Sequence, residues 1–438
     1  MTANEKFFQE KRAAAVLKHG ILDRYLPVFT SKTGSSATGG QVVYLDGFAG
    51  PGRYEPEDGQ SVGAEGSPLL AMRTATAVQT FGRTLHCVFV ERAPHHYENL
   101  CLTLEREVAG KNYEVLPGDV SGHLDRVLAV ADDRPLLAFL DPFGTGLPYA
   151  EMTDRLLRRP TRPPTEVLLN FNLQSVWRIG GLLAGDETGT WNHGLDAVLD
   201  ADWLPVRDKL AASTTNSPQS ATASLARIDD FLGNEWWRDV FRNSRAKARH
   251  RGERTASARA AQVVAQEYCR RIEADTGYRS FSVPIRRQPG QEPFFMLILF
   301  YRYRGTPYAF NGAVSKANEA WRKFISERSP QPQAHLAEQE DLFGGTLTTG
   351  MTDEQNTRAE ARRNQEWISM IARNVTTLLA VHGPVDVQDR TKDIFGTTLG
   401  LARETHLRAA WDLLANQGVA LPRLKGKNKI ENQTIRPA

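Results

Sequence analysis

Cysteine is scarce in this sequence. Cys87, Cys101 and Cys269 are the only three among 438 residues, too few and too scattered for a disulfide framework or a zinc site. That usage fits a reducing, intracellular compartment, and a cytoplasmic protein is expected. Long hydrophobic runs are also lacking. None approaches the roughly 18–20 residues of a membrane span, so no membrane association is expected. The N-terminal stretch MTANEKFFQEKRAAAVLKHG is charged and amphipathic and has no signal-peptide core. Nor is there an excess of one charge. Lys+Arg number 54 against 51 Asp+Glu, a net +3, so any nucleic-acid contact must come from local patches. What is present is ordinary: 41% hydrophobic and 24% charged residues exclude wholesale disorder and a fibrous fold. At about 150 residues per domain, the length suggests two or three domains.

Residues 4–29 read as one helix with Pro27 near its end, followed by a Gly/Ser/Thr-rich loop at 31–40. An α/β rhythm follows. QVVYLDGFAG (41–50), TLHCVFVE (84–91), YEVLPGDV (113–120), PLLAFLDPFG (135–144) and TEVLLNFN (165–172) are apolar runs. Helical stretches at 67–79, 94–108, 121–131 and 149–158 separate them. Continuous apolar strands alternating with helices predict a doubly wound parallel sheet buried on both faces. A helical insertion spans about 177–275 and holds five of the eight tryptophans, Trp177, Trp191, Trp203, Trp236 and Trp237. YRSFSVPIRR (278–287) and PFFMLILFYRYR (293–304) predict two antiparallel strands at the sheet's edge. Residues 327–363 read as a linker. Beyond it, 364–438 reads as a small domain, with helices at about 365–382 and 401–417 and then a basic hairpin, the pattern of a winged helix.

The chemistry gathers at the strand ends. YLDGFAGPG (44–52) delivers Asp46, and Gly47, Gly50 and Gly52 then let the backbone turn tightly against a ligand. Glu91, Asp119 and Asp141 close the next three strands. An acid after the second strand can accept two ribose hydroxyls, and one after the third an adenine amine. Four acids at four consecutive strand ends form the pattern of an S-adenosylmethionine (SAM) pocket. Asp46, Gly47, Phe48, Ala49, Gly50, Gly52, Glu91, Asp119 and Val120 are the candidate cofactor-binding residues; no metal is implied. Two other readings are a generic glycine turn with solvated acids and a dinucleotide site. The dinucleotide site wants a helix straight after its glycines and an acid about 20 residues on. Here RYEPEDGQSVGAEG delays the helix to Ser67, a candidate cap with Pro68 behind it, and Glu91 lies roughly 40 residues beyond Gly52.

Asp141-Pro142-Phe143-Gly144 resembles the D/N-P-P-aromatic motif of amino-methyltransferases. There the acid accepts hydrogen bonds from the target amine and the aromatic stacks on the base. Asp141, Pro142 and Phe143 are thus the candidate catalytic residues. Phe143 replaces the second proline and Gly144 the aromatic; the plain alternative is a strand-to-loop turn.

LKHGILDRYL (17–26), YLDGFAGPGRY (44–54), GSPLLA (66–71), VFVE (88–91), AFLDPFG (138–144) and EVLLNFN (166–172) together resemble the three-Cys-motif partner protein (TcmP) family over roughly residues 15–320. The resemblance implies a Rossmann-like class I SAM-dependent methyltransferase fold over 1–326. It also implies a partner, a radical-SAM-like protein bearing three cysteines. LKH at 17–19, Asp46 through Tyr54 and GSP at 66–68 are similar, more distantly, to the 23S rRNA adenine-N6 methyltransferases. That likeness carries Lys18 and His19 toward the cofactor or substrate site; an exposed helix face is the alternative.

Two basic patches suit nucleic acid. Residues 238–259 hold eight Lys/Arg against two acids, including Arg245, Lys247, Arg249 and Arg251, with tryptophans nearby for base stacking. Arg423, Lys425, Lys427 and Lys429 lie on the presumed wing. The alternatives are a solvated helix and a protein-binding wing. In the linker, Gln339, Leu342 and Phe343 resemble a sliding-clamp docking peptide. The sequence therefore reads as a SAM-dependent methyltransferase acting on nucleic acid. The alternative is a catalytically degenerate partner module for the three-Cys protein.

Overall fold

The computed structural model describes residues 13–56, 59–108, 112–142, 144–182, 218–251, 256–286, 290–328, 353–426 and 428–438. The chain forms two compact units. One comprises residues 1–11, 33–285 and 292–301, and the other 12–32, 286–291 and 302–438. The first helix, α1 (Ala13–Gly34), thus belongs mainly to the second unit.

The first unit is α/β. Its parallel strands are β1 (Gln41–Asp46), β2 (Thr84–Glu91), β3 (Tyr113–Pro117), β4 (Leu136–Leu140) and β5 (Thr165–Asn172). Helices α2 (Ser67–Gln79), α3 (Pro94–Glu107) and α4 (Val120–Val130) connect the first four. A π-helical turn at Glu151–Leu156 stands where an α-helix was expected. Helices α5 (Leu173–Leu182), α6 (Pro218–Leu232), α7 (Trp236–Arg251) and α8 (Ala256–Thr276) follow, then β6 (Arg279–Ile285) and β7 (Phe295–Tyr301). The seven strands lie in the order β3-β2-β1-β4-β5-β7-β6. β7 runs antiparallel to both β5 and β6. The expected edge pair is therefore present, with the later strand inside.

β1, β4 and β5 are buried at nearly every position because both sheet faces are covered. On one face Val43, Leu45, Val88, Val90, Ala138 and Leu140 pack with Leu124 and Val127 of α4 and with the insertion's Phe231, Trp237 and Tyr268. α2 covers β1 and β2 from the other. The strand order reverses between β1 and β4, and in open α/β sheets ligands bind outside the carboxyl ends of the strands at such a switch.

The second unit holds α1, α9 (Thr306–Arg328), α10 (Asp353–His382), β8 (Val385–Asp386), α11 (Thr391–Phe395), α12 (Glu404–Asn416) and β9 (Thr434–Ile435). α1 continues past Pro27 to Gly34, through the first residues of the expected loop. Proline inside a helix costs about 3 kcal/mol, but Leu26, Phe29 and Thr30 are buried around it and offset that cost. Tyr25 meets Phe310 of α9 edge-on at 4.9 Å. Of the expected linker, residues 329–352 lie outside the described residues. Residues 327–328 end α9 and 353–363 open α10, whose Trp367 and Ile371 anchor the unit's core. The expected basic hairpin is looser than a two-stranded ladder. Ala420 bridges Pro437, Ile430–Asn432 forms a 3-10 turn, and β9 pairs with β8. Among the described residues no helix is long and apolar enough to cross a membrane, and none of the three cysteines is in a disulfide.

Candidate active site at the strand ends

The glycine loop departs from β1 in register with its neighbours. Gly47 N–H donates to Phe139 O (3.0 Å) and Ala49 N–H to Val90 O (3.0 Å). A Cβ on Gly47 would lie 2.8 Å from Leu140 Cδ2 and 3.2 Å from Val120 Cγ2. Gly47 and Val120 therefore meet each other in the core, and Phe48 also packs against it. Gly50 and Gly52 adopt φ of 66° and 86°, the left-handed region that glycine enters without strain.

The inserted segment 53–65 closes on itself. Gly66 N–H donates to Gly52 O (2.8 Å) and Tyr54 N–H to Ala64 O (2.9 Å). Arg53 holds Glu107 of α3 through its guanidinium and donates to Gly63 O at 2.8 Å. Gly66 takes the cap position of α2 and Pro68 its first turn. The expected cap, Ser67, instead turns its hydroxyl to Asp46.

Asp46 is fully buried and accepts from Phe48 N–H (3.3 Å) and Tyr44 O–H (3.4 Å). Burial raises its carboxyl to about 7, and the charges of Asp141 and Glu91 push the same way against the Ser67 and Phe48 hydrogen bonds. Glu91 is shifted oppositely. Burial works to raise it, but His96 and the N–H groups of Ala93 and Gly50 outweigh that and hold it below the usual glutamate range. Its oxygens accept from Gly50 (2.8 Å) and Ala93 (2.7 Å). Expected as a ribose acceptor, Glu91 thus locks the glycine loop to β2. Asp119 is largely exposed, with Arg92 at 3.5 Å. Buried Tyr54 has its hydroxyl raised first by burial and then by the charges of Asp141 and Asp46, so the loop brings it to the same acids.

At the end of β4, Asp141 is half-buried and Pro142 buried; Phe143 lies outside the described residues. Asn170 of β5 donates from Nδ2 to Asp141 Oδ1 at 2.7 Å. Asn170 is 1% exposed, and its Oδ1 is buried without a partner among the described residues. Sequence reasoning gave Asn170 no role. An amide inside an apolar buried strand was the available signal.

The remaining candidates lie elsewhere. Lys18 and His19 are 3% and 4% exposed on α1, so the exposed-face alternative does not hold; both belong to the second unit. Arg245, Lys247, Arg249 and Arg251 occupy the last turns of α7. The tryptophans opening that helix are not free platforms for bases. Trp237 is buried and donates to Asp229 (2.9 Å), while Trp236 donates to Leu232 O (3.1 Å) and carries Arg271 over its ring at 4.6 Å. On the presumed wing Lys425 and Lys429 are exposed, and Arg423 is held bidentate by Asp412 at 2.9 and 2.8 Å. Lys427, Gln339, Leu342, Phe343, Trp191 and Trp203 lie outside the described residues.

Among the described residues no group of three His, Cys, Asp or Glu could hold a metal. What the strand ends hold is a tight glycine loop, three converging carboxylates at Asp46, Glu91 and Asp141, and an amide paired to the last of them. No protein-family model matches this chain, and no curated protein matches it.

Proposed function

We propose that the chain is a SAM-dependent methyltransferase of the TcmP kind, acting on an exocyclic amine of nucleic acid. The observation that carries this reading is the Asp141–Asn170 pair beside the glycine loop, at the switch between β1 and β4. The residues fit the cofactor's charge. Mutual repulsion with Asp141 and Glu91 helps raise Asp46 to about 7, and a cationic ligand relieves that repulsion. When bound, SAM supplies a methyl group on a positively charged sulfonium, beside an ammonium. The loop 47–52 would cradle it, with Glu91 keeping that loop in place and Asp119 reachable from solvent. Asp141 would accept an N–H of the target amine and orient the nitrogen, and Asn170 would fix the Asp141 carboxylate. A base in a duplex would have to be flipped out to reach this site.

The reading extends to the second unit. Its order of helix, strand, two helices and a bridged terminal segment supports a winged-helix domain there. A second reading, a degenerate partner module for a radical-SAM-like protein with three cysteines, is favoured by Glu91, whose two oxygens already serve backbone N–H groups.

Calorimetric titration of SAM, with labelled methyl transfer to mixed DNA and RNA, separates the two. Binding and label on nucleic acid support the enzyme. A stable complex with the three-Cys protein but no transfer supports the module, and absence of SAM binding ends the first reading.

A further inference from the structure

In the second unit, α9 and α10 carry Arg322 and Arg363. Arg322 lays its guanidinium over the indole of Trp367, with Cζ 5.6 Å from the ring centroid. Arg363 stands four residues before Trp367 on α10, on the same helix stripe. Both side chains are half-buried. Arg363 Nε is buried with no hydrogen-bond partner among the described residues. The nearby acids attract both arginines, Glu360 acting on each, but Glu319 and Glu366 make their ion pairs with other arginines. Glu319 takes Arg403 at 2.5 Å and Glu366 takes Arg362 at 3.4 Å. Glu360 is exposed, a turn before Arg363. Burial, and after it the charge of Arg363, lowers Arg322 to about 10; burial lowers Arg363 as well.

Two guanidiniums partly out of water repel each other, and Arg363 Nε lacks an acceptor among the described residues. A planar fork of donors matches one chemistry best, the oxygens of a phosphate group. We propose that Arg322 and Arg363, flanking Trp367, form a binding site for a phosphate-type oxyanion. The phosphate comes either from a nucleic-acid backbone or from a free phosphate group. The site belongs to the second unit, and nothing in the strand-end reading requires it.

The test uses the full chain and the variant R322Q/R363Q. Thermal unfolding is followed in inorganic phosphate and in chloride at equal ionic strength. Phosphate should raise the wild-type midpoint above that in chloride, through preferential binding to the folded state, and the variant should show no such rise. Without phosphate the variant should unfold no earlier than wild type, since two repelling charges have gone. A wild-type midpoint indifferent to phosphate overturns the proposal, whatever the variant does. So does a rise that R322Q/R363Q retains. Anisotropy with a single-stranded oligonucleotide then identifies the source. About tenfold weaker binding for each arginine removed assigns the site to the phosphodiester backbone. Unchanged oligonucleotide affinity beside a lost phosphate effect assigns it to a free phosphate group.

Discussion

Asn170 donates its amide Nδ2–H to Asp141 Oδ1 at 2.7 Å, joining the ends of β4 and β5. The acid belongs to the segment that resembles the amine-binding motif of amino-methyltransferases, and the amide bonds its carboxylate. On the proposed methyltransferase reading, Asn170→Ala should lower the methyl-transfer kcat by about 10- to 100-fold, the worth of a hydrogen bond to a charged group. SAM affinity should stay within about twofold of wild type. Steady-state kinetics beside calorimetry checks the split, and an equal loss in both would assign Asn170 to folding alone.

Asp46 gives a pH signature. Its folded carboxyl titrates near 7 against an ordinary value of 3.8, chiefly through burial. Between those values the folded state binds more protons than the unfolded one, so stability falls as pH rises through that window and is level above it. Asp46→Asn should flatten this slope and stabilise the protein relative to wild type at about pH 8. Urea unfolding of both proteins at about pH 5 and about pH 8 measures it.

Glu91 should behave in the opposite sense. Its folded value lies below the ordinary 4.5, so its contribution is present above that pH and is lost as pH falls through the folded value. Glu91→Gln removes the charge that draws in the Gly50 and Ala93 N–H groups. It should cost about 1–3 kcal/mol at neutral pH and loosen the glycine loop. Amide hydrogen exchange at Gly50 is the readout, and unchanged protection would contradict the lock.

Gly52 sits at φ 86°, and a Cβ there would lie 3.1 Å from Leu100 Cδ1. Gly52→Ala should therefore cost about 1–2 kcal/mol from left-handed strain and abolish SAM binding. Denaturation midpoints and titration calorimetry test both effects together.

Charge reversal of Arg245, Lys247, Arg249 and Arg251 should weaken nucleic-acid binding uniformly across sequences. The slope of log K on log salt should fall by up to about four if each contacts one phosphate. Arg423→Ala should instead loosen the terminal segment, because its guanidinium is committed to Asp412. Salt-dependent anisotropy and hydrogen exchange distinguish the two variants.

Much of the fold was legible because it is local. Strands Thr84–Glu91 and Thr165–Asn172 and helix Ser67–Gln79 fall where periodicity and punctuation put them. The errors have two causes. Residues 31–34, read as loop, stay helical because α1 is buried around Phe29 and Thr30 just before them. The opening of α10 looked like linker because its buried stripe, Trp367 and Ile371, starts only further along.

By itself, the sequence determined the alternation of strands and helices, the acid at each strand end and the glycines that turn away from β1, since each depends only on neighbours a few residues apart. Tertiary structure alone decided who meets whom. It set Asn170 beside Asp141, committed Glu91 to Gly50 and buried Asp46 under Ser67. It also brought Arg322 over Trp367, one turn from Arg363. Those pairings follow from sheet order and helix packing, which join residues tens of positions apart and leave no local trace in the sequence.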